Sequence, residues 1–333
     1  MRNVLILTKP YDPHTPPVVE EIQARGARVF RFHTADFPEQ SSLAMQYMPH
    51  SPACTGTLSM GQCTIELEGL TSIWRRRPQK YRAPHSSSPG EATFIEEEAE
   101  KALTGVLESL ALQNTCWVSR THSVRRADLK ALQLAMARDA GLRIPETLIT
   151  NDPDAARAFY ERCQGNVILK AVSKGSLEDA QGQIERFIYT SQVQREHLAQ
   201  FQRVRATGHM FQEHIPKRIE VRVVVIGRQV FAAEIHSQHS TRARVDFRRG
   251  YDDLRYDVHR LPDDIRTNVL EMVRRFELQY SSIDFIVTPA GEYVFLDLNP
   301  NGQYYWLQLR LAGRFRLKEA MADLLVFPED YRL

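Results

Sequence analysis

The chain has 333 residues, 43% of them hydrophobic and 25% charged, an ordinary globular composition with length enough for two or three domains and a sizeable core. Its 43 Lys and Arg against 41 Asp and Glu leave a formal net charge of +2, so no global field favours nucleic acid or an anionic membrane, and function has to reside in local sites. Cys54, Cys63, Cys116 and Cys163 form no Cys-x-x-Cys pair and have no histidine at zinc-site spacing; all four read as small apolar fillers in a reducing cytosol.

In chain order, Val4-Leu5-Ile6-Leu7 is cut short by Lys9, Pro10 and Asp12, which makes it a first strand and not a signal peptide or membrane span. No other window reaches transmembrane length, and a cytoplasmic protein is expected. A helix over 18–25 stopped by Gly26, a strand over 27–32 and short strands over 43–48, 57–58 and 63–67 make a βαβ-like opening. It lacks Gly-x-Gly-x-x-Gly, so no dinucleotide site is expected there. The Ser- and Pro-rich residues 79–90 read as a mobile loop before a long acidic-faced helix over 91–113 and a strand over 116–119, with the main domain boundary near 119. Asp128-Leu129-Lys130 opens a helical run to Ala140-Gly141, residues 144–149 lead into a strand, and Asn151-Asp152-Pro153 starts a helix that ends near Cys163. Asn166-Val167-Ile168-Leu169-Lys170-Ala171-Val172 reads as a buried strand with Lys170 in its middle. Strands over 209–213, 220–226 and 229–236 read as one meander, which suits a nucleotide held between two sheets.

Two segments set polar groups inside apolar strands. Residues 282–287, a turn at Pro289-Ala290-Gly291, and residues 293–299 read as a hairpin carrying Asp284, Asp297 and Asn299. Side-chain alternation puts Asp297 and Asn299 on one face, and a tight hairpin brings Asp284 beside them. Three hard oxygen-bearing groups of this kind suit Mg²⁺ carrying nucleotide phosphates, the alternative being an acidic edge strand with a polar turn. Lys170 is either a point charge on nucleotide phosphates or a lysine snorkelling from a strand end. Glu220 and Arg222 share a strand face, which suits ribose and phosphate contacts or a cross-strand salt bridge. The guanidinium-dense run over 241–250 matches carboxylate and phosphate oxygens, with nucleic acid as the alternative.

The order of these parts resembles the ATP-grasp superfamily, and within it the microviridin-type (graspetide) peptide ligases. His33-Thr34-Ala35-Asp36-Phe37-Pro38 is similar to their first-domain Asp-Phe-Pro segment, and Ser72-Ile73-Trp74-Arg75-Arg76-Arg77-Pro78 to the Trp-x-Arg-Arg-Pro segment that closes their pre-ATP-grasp domain. Ile188-Tyr189-Thr190, Phe211-Gln212-Glu213-His214-Ile215-Pro216-Lys217 and Asn299-Pro300-Asn301-Gly302-Gln303 carry the resemblance to the far end of the chain. It implies an α/β (α+β) architecture: an ATP-grasp fold with an N-terminal pre-ATP-grasp α/β domain over 1–118, a central ATP-grasp subdomain over 119–205, and a C-terminal subdomain with the metal site over 206–333. ATP and Mg²⁺ are the implied cofactors, with metal on Asp284, Asp297 and Asn299 and the triphosphate on Lys130 and Lys170. Glu213 and Ile215 are implied at the adenine and Glu220 at the ribose. Arg222 is implied near the transferred phosphate and Arg248, of Asp246-Phe247-Arg248, on an acyl phosphate, which leaves Arg242 and Arg244 for an acidic substrate side chain. One departure is that Asp297 stands where the family's Glu-x-Asn motif has glutamate; the shorter arm keeps a carboxylate but weakens bridging of two metals.

The implied activity is an ATP-dependent ligase that activates Asp or Glu side chains of a ribosomally made precursor peptide as acyl phosphates and closes ω-ester or ω-amide rings with Ser/Thr or Lys. The alternatives are a ligase adding free amino acids, as the ribosomal-protein glutamate ligases do, and a nucleotide- or peptide-binding protein without turnover. The expected partner is a precursor peptide with a leader and an acidic and hydroxyl-bearing core, the leader held by the first domain and the hairpin around 184–190, away from the ATP site. No nucleic acid or membrane partner is expected, and a homodimer stays open. The loop over 174–183, with Gly175 and Gly182, is expected to close over the site.

Overall fold

Short apolar strands alternating with amphipathic helices dictate sheets covered by helices. The computed structural model describes residues 1–50, 54–173, 175–178 and 184–333. The first part runs β1 (Asn3–Leu7), α1 (Thr15–Ala24), β2 (Arg28–Phe32), β3 (Ser41–Gln46), β4 (Thr55–Met60), β5 (Cys63–Glu66), β6 (Ser72–Arg75), α2 (Pro89–Ser109) and β7 (Cys116–Val118). β2-β1-β6-β7 form a parallel sheet and β3-β4-β5 a small antiparallel one. Alternation sends Leu5, Leu7 and Ile73 to one face, against Leu103 and Leu107 of α2. Val4, Ile6 and Trp74 go to the other, against Val18 and Ile22 of α1. Gly26, at φ +73°, ends α1 as expected. The acidic helix is fastened at its start by a capping box between Ser88 and Glu91 with Pro89 in the first turn.

The second part runs α3 (Thr121–Ala127), α4 (Lys130–Asp139), β8 (Thr147–Thr150), α5 (Pro153–Arg162), β9 (Val167–Lys170), β10 (Ser176–Glu178), β11 (Ile184–Phe187), β12 (Ser191–Gln192) and β13 (His209–Glu213). An antiparallel sheet, β12-β9-β13-β8, holds Lys170, and β10 and β11 form a separate hairpin. The third part runs β14 (Ile219–Ile226), β15 (Gln229–Ile235), β16 (Tyr256–His259), α6 (Asp263–Arg275), β17 (Tyr280–Val287), β18 (Tyr293–Asn299), α7 (Tyr305–Arg310), α8 (Leu317–Val326) and α9 (Pro328–Tyr331). Its sheet is β16-β15-β14-β17-β18. One face of that sheet buries Val223, Ile283 and Phe285 against α4 and α6, and α8 returns to pack on the first part through Met321, Leu324 and Leu325.

Several expectations are corrected. Lys170 is the last residue of β9, not its middle, because β12 and β13 offer partners only up to Leu169 and Lys170. The helix carrying Lys130 starts at Lys130 itself: Leu129 has extended backbone, and α3, which holds too few apolar residues to show a period, precedes it. The strands over 209–213 and 220–226 belong to different sheets, since β13 pairs with β8 and β9 while β14 pairs with β15 and β17. Among the cysteines only Cys116 is buried. Cys63 is exposed, at the first position of an edge strand. Of the expected closing loop, residues 174 and 179–183 lie outside the described residues, and Ser176–Glu178 is a strand. No helix among the described residues is long and apolar enough to cross a membrane.

The joint between the first and third parts is polar. Arg76, 1% exposed, meets the buried Asp12 at 3.2 Å and donates from Nη1 to the carbonyls of Asn301 at 2.9 Å and Gly302 at 3.2 Å. His14 beside it accepts from the Tyr305 amide at Nδ1, and its ring lies tilted against Tyr304 with the centroids 5.1 Å apart. Burial, then the Arg76 charge, push the His14 imidazole down from 6.5 to about 3. Between those values the unfolded chain binds a proton that the folded protein does not, so stability falls as pH falls through this window. Denaturant titrations from pH 7 to 4 should therefore show a slope of up to about 1.4 kcal/mol per pH unit from this residue. It should be flattened in His14→Gln; an identical pH dependence in the variant would refute the assignment.

Candidate active site

The central and C-terminal sheets face each other across a cleft of about 750 Å³. β9 supplies Ile168 and Lys170, the crossing segment Glu213, His214, Ile215 and Lys217, and β14 Glu220 and Arg222. β17 and β18 supply Asp284, Asp297 and Asn299, the turn after them Asn301, Gly302 and Gln303, and α7 Trp306 and Arg310. Arg77 reaches the same cleft from the first part.

Register sets the acidic wall. Arg222 pairs with Asp284 and Asp284 with Asp297 across three adjacent strands, while Asn299 lies opposite Ser282. A bulge after Asp284 shifts the register, so that Phe285 still pairs inward with Phe295. Arg222 Nε lies 3.0 Å from Asp284 Oδ1, and Lys130 Nζ forms an ion pair with the Asp297 carboxylate. Burial pushes the Asp284 carboxyl up, Arg222 pulls it down, and Asp297 opposite adds to the rise. Lys170 Nζ donates to the Leu296 carbonyl at 3.3 Å, next to Asp297. Burial lowers the Lys170 ammonium's pKa, the Asp297 charge opposes the drop, and Lys130 adds to it. Two carboxylates and an amide fit the fold family's Mg²⁺, which takes one or two protein carboxylates and leaves its other positions to phosphate and water.

The turn that follows Asn299 is clamped. Tyr280 Oη donates to the Gly302 carbonyl at 2.6 Å, alongside the Arg76 bonds. A Cβ on Gly302 would stand 2.7 Å from Ser282 Cβ and Oγ, so only glycine lets the turn approach β17 this closely.

At the other end, the Glu213 amide donates to Glu146 O and the His214 amide to Asn166 O, which fixes the crossing segment. Ile215 joins Ile286, Val294 and Leu296 in a small apolar cluster, a shelf suited to a flat ring. Glu220 is buried, ion-paired with Lys217 at 2.6 Å and hydrogen-bonded by Ser237 Oγ at 2.7 Å. Burial pushes its pKa up against the pull of Lys217. Glu220 is thus paired within its own strand entry, three residues away, while Arg222 makes the cross-strand bridge, to Asp284. Arg248, exposed at its head, grips the buried Asp246 from Nε at 2.8 Å and from Nη2 at 2.5 Å. Asp246 also accepts from the Thr190 amide at 3.2 Å. Despite its burial, the Arg248 contacts hold the Asp246 carboxyl below the usual range.

The expected site residues thus line one cleft, with one exception. Lys130 is not on its wall, because the first residue of α4 meets Asp297 from the helix side. Arg242 and Arg244 are also off this wall; Arg242 shares a shallow neighbouring recess with Tyr189 and Arg249. The 184–190 hairpin is not remote from the cleft as expected: Phe187, Ile188, Tyr189 and Thr190 line it. Arg77, Lys217, Trp306 and Arg310 were not anticipated. Arg77 and Lys217 lay in segments that carried the family resemblance, Trp-x-Arg-Arg-Pro and Phe211–Lys217, without a role being read from them; Trp306 and Arg310 had no sequence signal.

With this geometry in hand, family comparison is decisive: the RimK-like ATP-grasp domain matches residues 126–310 and the MvdD pre-ATP grasp domain residues 3–125. The chain belongs to the RimK-like ATP-grasp family. Macrocyclase MdnB from Microcystis aeruginosa MRC is 31% identical over 98% of this chain and 100% of that one, with a TM-score of 0.79. Macrocyclase MdnC from the same organism, bound with precursor peptide MdnA, is 28% identical over 98% and 100%, with a TM-score of 0.83. A Chryseobacterium gregarium RiPP-associated ATP-grasp ligase, in complex with ADP and a leader and core peptide, is 28% identical over 98% and 96%, with a TM-score of 0.87. No curated protein matches. The resemblance to ATP-grasp peptide ligases and the ATP-grasp fold with a preceding pre-ATP-grasp domain are borne out, and this is an enzyme of the ATP-grasp ligase family.

The clamped turn yields a structural test. Gly302→Ala should displace the turn from β17 and lower stability by about 1–3 kcal/mol, as overpacking of a tight contact does. Thermal unfolding at pH 7.5 reads this directly, and a melting temperature equal to wild type would show that the turn tolerates a Cβ.

Proposed function

We propose that this ATP-grasp ligase condenses side chains within a ribosomally made peptide: an Asp or Glu carboxylate receives the γ-phosphoryl group of ATP, and a Ser/Thr hydroxyl or Lys amine of the same peptide displaces phosphate. The observation that carries the reading is the row Arg222–Asp284–Asp297 across adjacent strands with Lys170 facing it from the other sheet. Phosphoryl transfer needs little from a protein beyond positioning and charge compensation, and this row supplies both. Mg²⁺, when bound by Asp284, Asp297 and Asn299, neutralises charge on the phosphates. In the proposed division of labour, Ile215 and Glu213 take the adenine end, Glu220 the ribose and Lys170 the phosphates. Lys130 acts through Asp297, whose carboxylate it holds in place. Arg222 and Arg248 compensate charge at the transferred group.

The parts would then be a pre-ATP-grasp domain over 1–118, a central subdomain over 119–205 and a C-terminal subdomain over 206–333. The partner is a precursor peptide, as in the complexes of MdnC and of the Chryseobacterium gregarium ligase. Phe187, 56% exposed, and Ile188, 43% exposed, are supporting ground for a peptide contact at the hairpin's end, because apolar side chains beside a cleft suit an amphipathic segment. Neither nucleic acid nor membrane enters this reading, and a cytoplasmic setting follows from the substrate.

Mass separates this reading from addition of free amino acids. Each ring closed in a peptide incubated with enzyme, ATP and Mg²⁺ removes one water, about 18 Da by elementary composition, whereas ligation adds a residue. A mass gain, or ADP formed without any peptide product, would overturn the proposal. Lys170→Ala and Asp297→Asn should each lower peptide-dependent ADP release by about two to three orders of magnitude, the scale for one preorganised electrostatic group. Wild-type turnover in either folded variant would remove that residue from the site.

A further inference from the structure

The run Arg75-Arg76-Arg77 at the end of β6 carries three guanidinium groups, and they are not equivalent. The amides of Arg76 and Arg77 both donate to the Leu7 carbonyl at the end of β1, at 2.9 and 3.1 Å, which fixes the backbone. Arg76 turns inward and is consumed by Asp12 and the Asn301 and Gly302 carbonyls. Arg77 turns the other way, onto the wall of the cleft. It is half-buried there, and its guanidinium makes no ion pair with any described residue. Asp12, whose charge favours the Arg77 guanidinium, is already engaged by Arg76. Burial first, and then Arg76, disfavour the Arg77 charge. A half-desolvated guanidinium beside a second one, without a counter-ion, is an unfavourable arrangement unless a ligand brings the anion.

Place narrows the ligand. Arg77 follows Arg76, which holds the Asn301 and Gly302 carbonyls, and lines the cleft together with that turn, whereas the apolar shelf around Ile215 is built from the crossing segment, β17 and β18. Arg77 also belongs to the first part of the chain, whereas Lys170 and Arg222, the cations set against phosphate, stand on the two sheets that form the cleft. We propose that Arg77 is a specificity-determining contact of this ligase, taking a side-chain carboxylate of the peptide on its planar fork and admitting acidic side chains in preference to their amides. The proposal rests on the ligase reading above. The fork matches a carboxylate with two parallel hydrogen bonds, which neither an amide nor a hydroxyl can reproduce. Trp306 and Gln303 line the same cleft and offer the peptide an apolar and a polar side chain there.

Binding without turnover tests this. Protein loaded with Mg²⁺ and AMP-PNP is titrated with N-acetyl-L-glutamate α-amide and, separately, with N-acetyl-L-glutamine α-amide, and affinities are read by ligand-observed NMR. Wild type should prefer the acid. Arg77→Gln should weaken acid binding by about tenfold or more, the scale for losing a charged hydrogen-bonded pair, and abolish the preference over the amide. Arg77→Lys, which keeps the charge without the fork, should fall between. AMP-PNP affinity and melting temperature should stay within experimental error in both variants. Equal acid and amide binding by wild type, or unchanged acid preference in Arg77→Gln, overturns the proposal. A fall in AMP-PNP affinity that matches the fall in acid binding also overturns it and reassigns Arg77 to phosphate. Because no product is required, the probe still decides the role of Arg77 if peptide condensation fails in the mass experiment.

Discussion

A buried guanidinium ties the first sheet to the turn beyond β18. Arg76 leaves the first sheet, meets Asp12, and donates from Nη1 to the carbonyls of Asn301 and Gly302. The turn it grips is the continuation of the strand carrying Asp297 and Asn299. Removing a charge from water costs several kcal/mol on the usual scale, so the pair and the two carbonyls must be present together for the arrangement to hold. The metal-side turn is therefore shaped by a residue more than two hundred positions away in sequence. This makes the first part of the chain a component of the cleft, not an appendage to it, and Arg77 reaches the cleft wall by the same route.

The cleft itself is arranged by charge compensation. Four of the carboxylates facing it have a cation: Asp284 has Arg222, Asp297 has Lys130, Glu220 has Lys217 and Asp246 has Arg248. Paired charges of this kind add little net stability, but breaking one leaves its partner stranded in a partly desolvated wall. The pairs preset the positions of the oxygens, and the β14-β17-β18 register holds three of these groups in line. Lys170 stands on the opposite wall, where its ammonium donates to the Leu296 carbonyl in a site that disfavours its charge. Such a lysine gains when phosphate oxygens replace the missing partner. Burial and register thus achieve together what neither would alone: one cleft lined by an apolar shelf, compensated acids and a guanidinium from another part of the chain.

How legible the site was in sequence depended on the distance over which each residue acts. Asp284, Asp297 and Asn299 could be placed together because strand alternation and one tight turn determine where they point. Asp152 as a helix start and Gly26 as a helix stop followed from local chemistry in the same way. Lys130 could be put at a helix opening, but its meeting with Asp297 depends on how α4 docks on the C-terminal sheet, which no local pattern encodes. Glu220 was read as a ribose contact or half of a cross-strand bridge because alternation is visible; Lys217 comes from the irregular crossing segment, where no period applies. The 184–190 hairpin was expected away from the nucleotide because the resemblance implied a leader site there, yet its end borders the same cleft.

By itself the sequence determined the elements whose periods are short: the opening βαβ unit, the acid-bearing hairpin, the lysine strand, and through its motifs the ATP-grasp family. Those follow from side-chain alternation, turn residues and capping, all of which act within a few positions. The tertiary structure alone decided that β13 and β14 part company into two sheets, that Arg76 rather than Arg77 is buried at the joint, and which cation each carboxylate received. The reason is physical: three consecutive arginines have the same local propensity, and only the competition for Asp12 and two remote carbonyls distinguishes the one that is consumed from the one left facing the cleft.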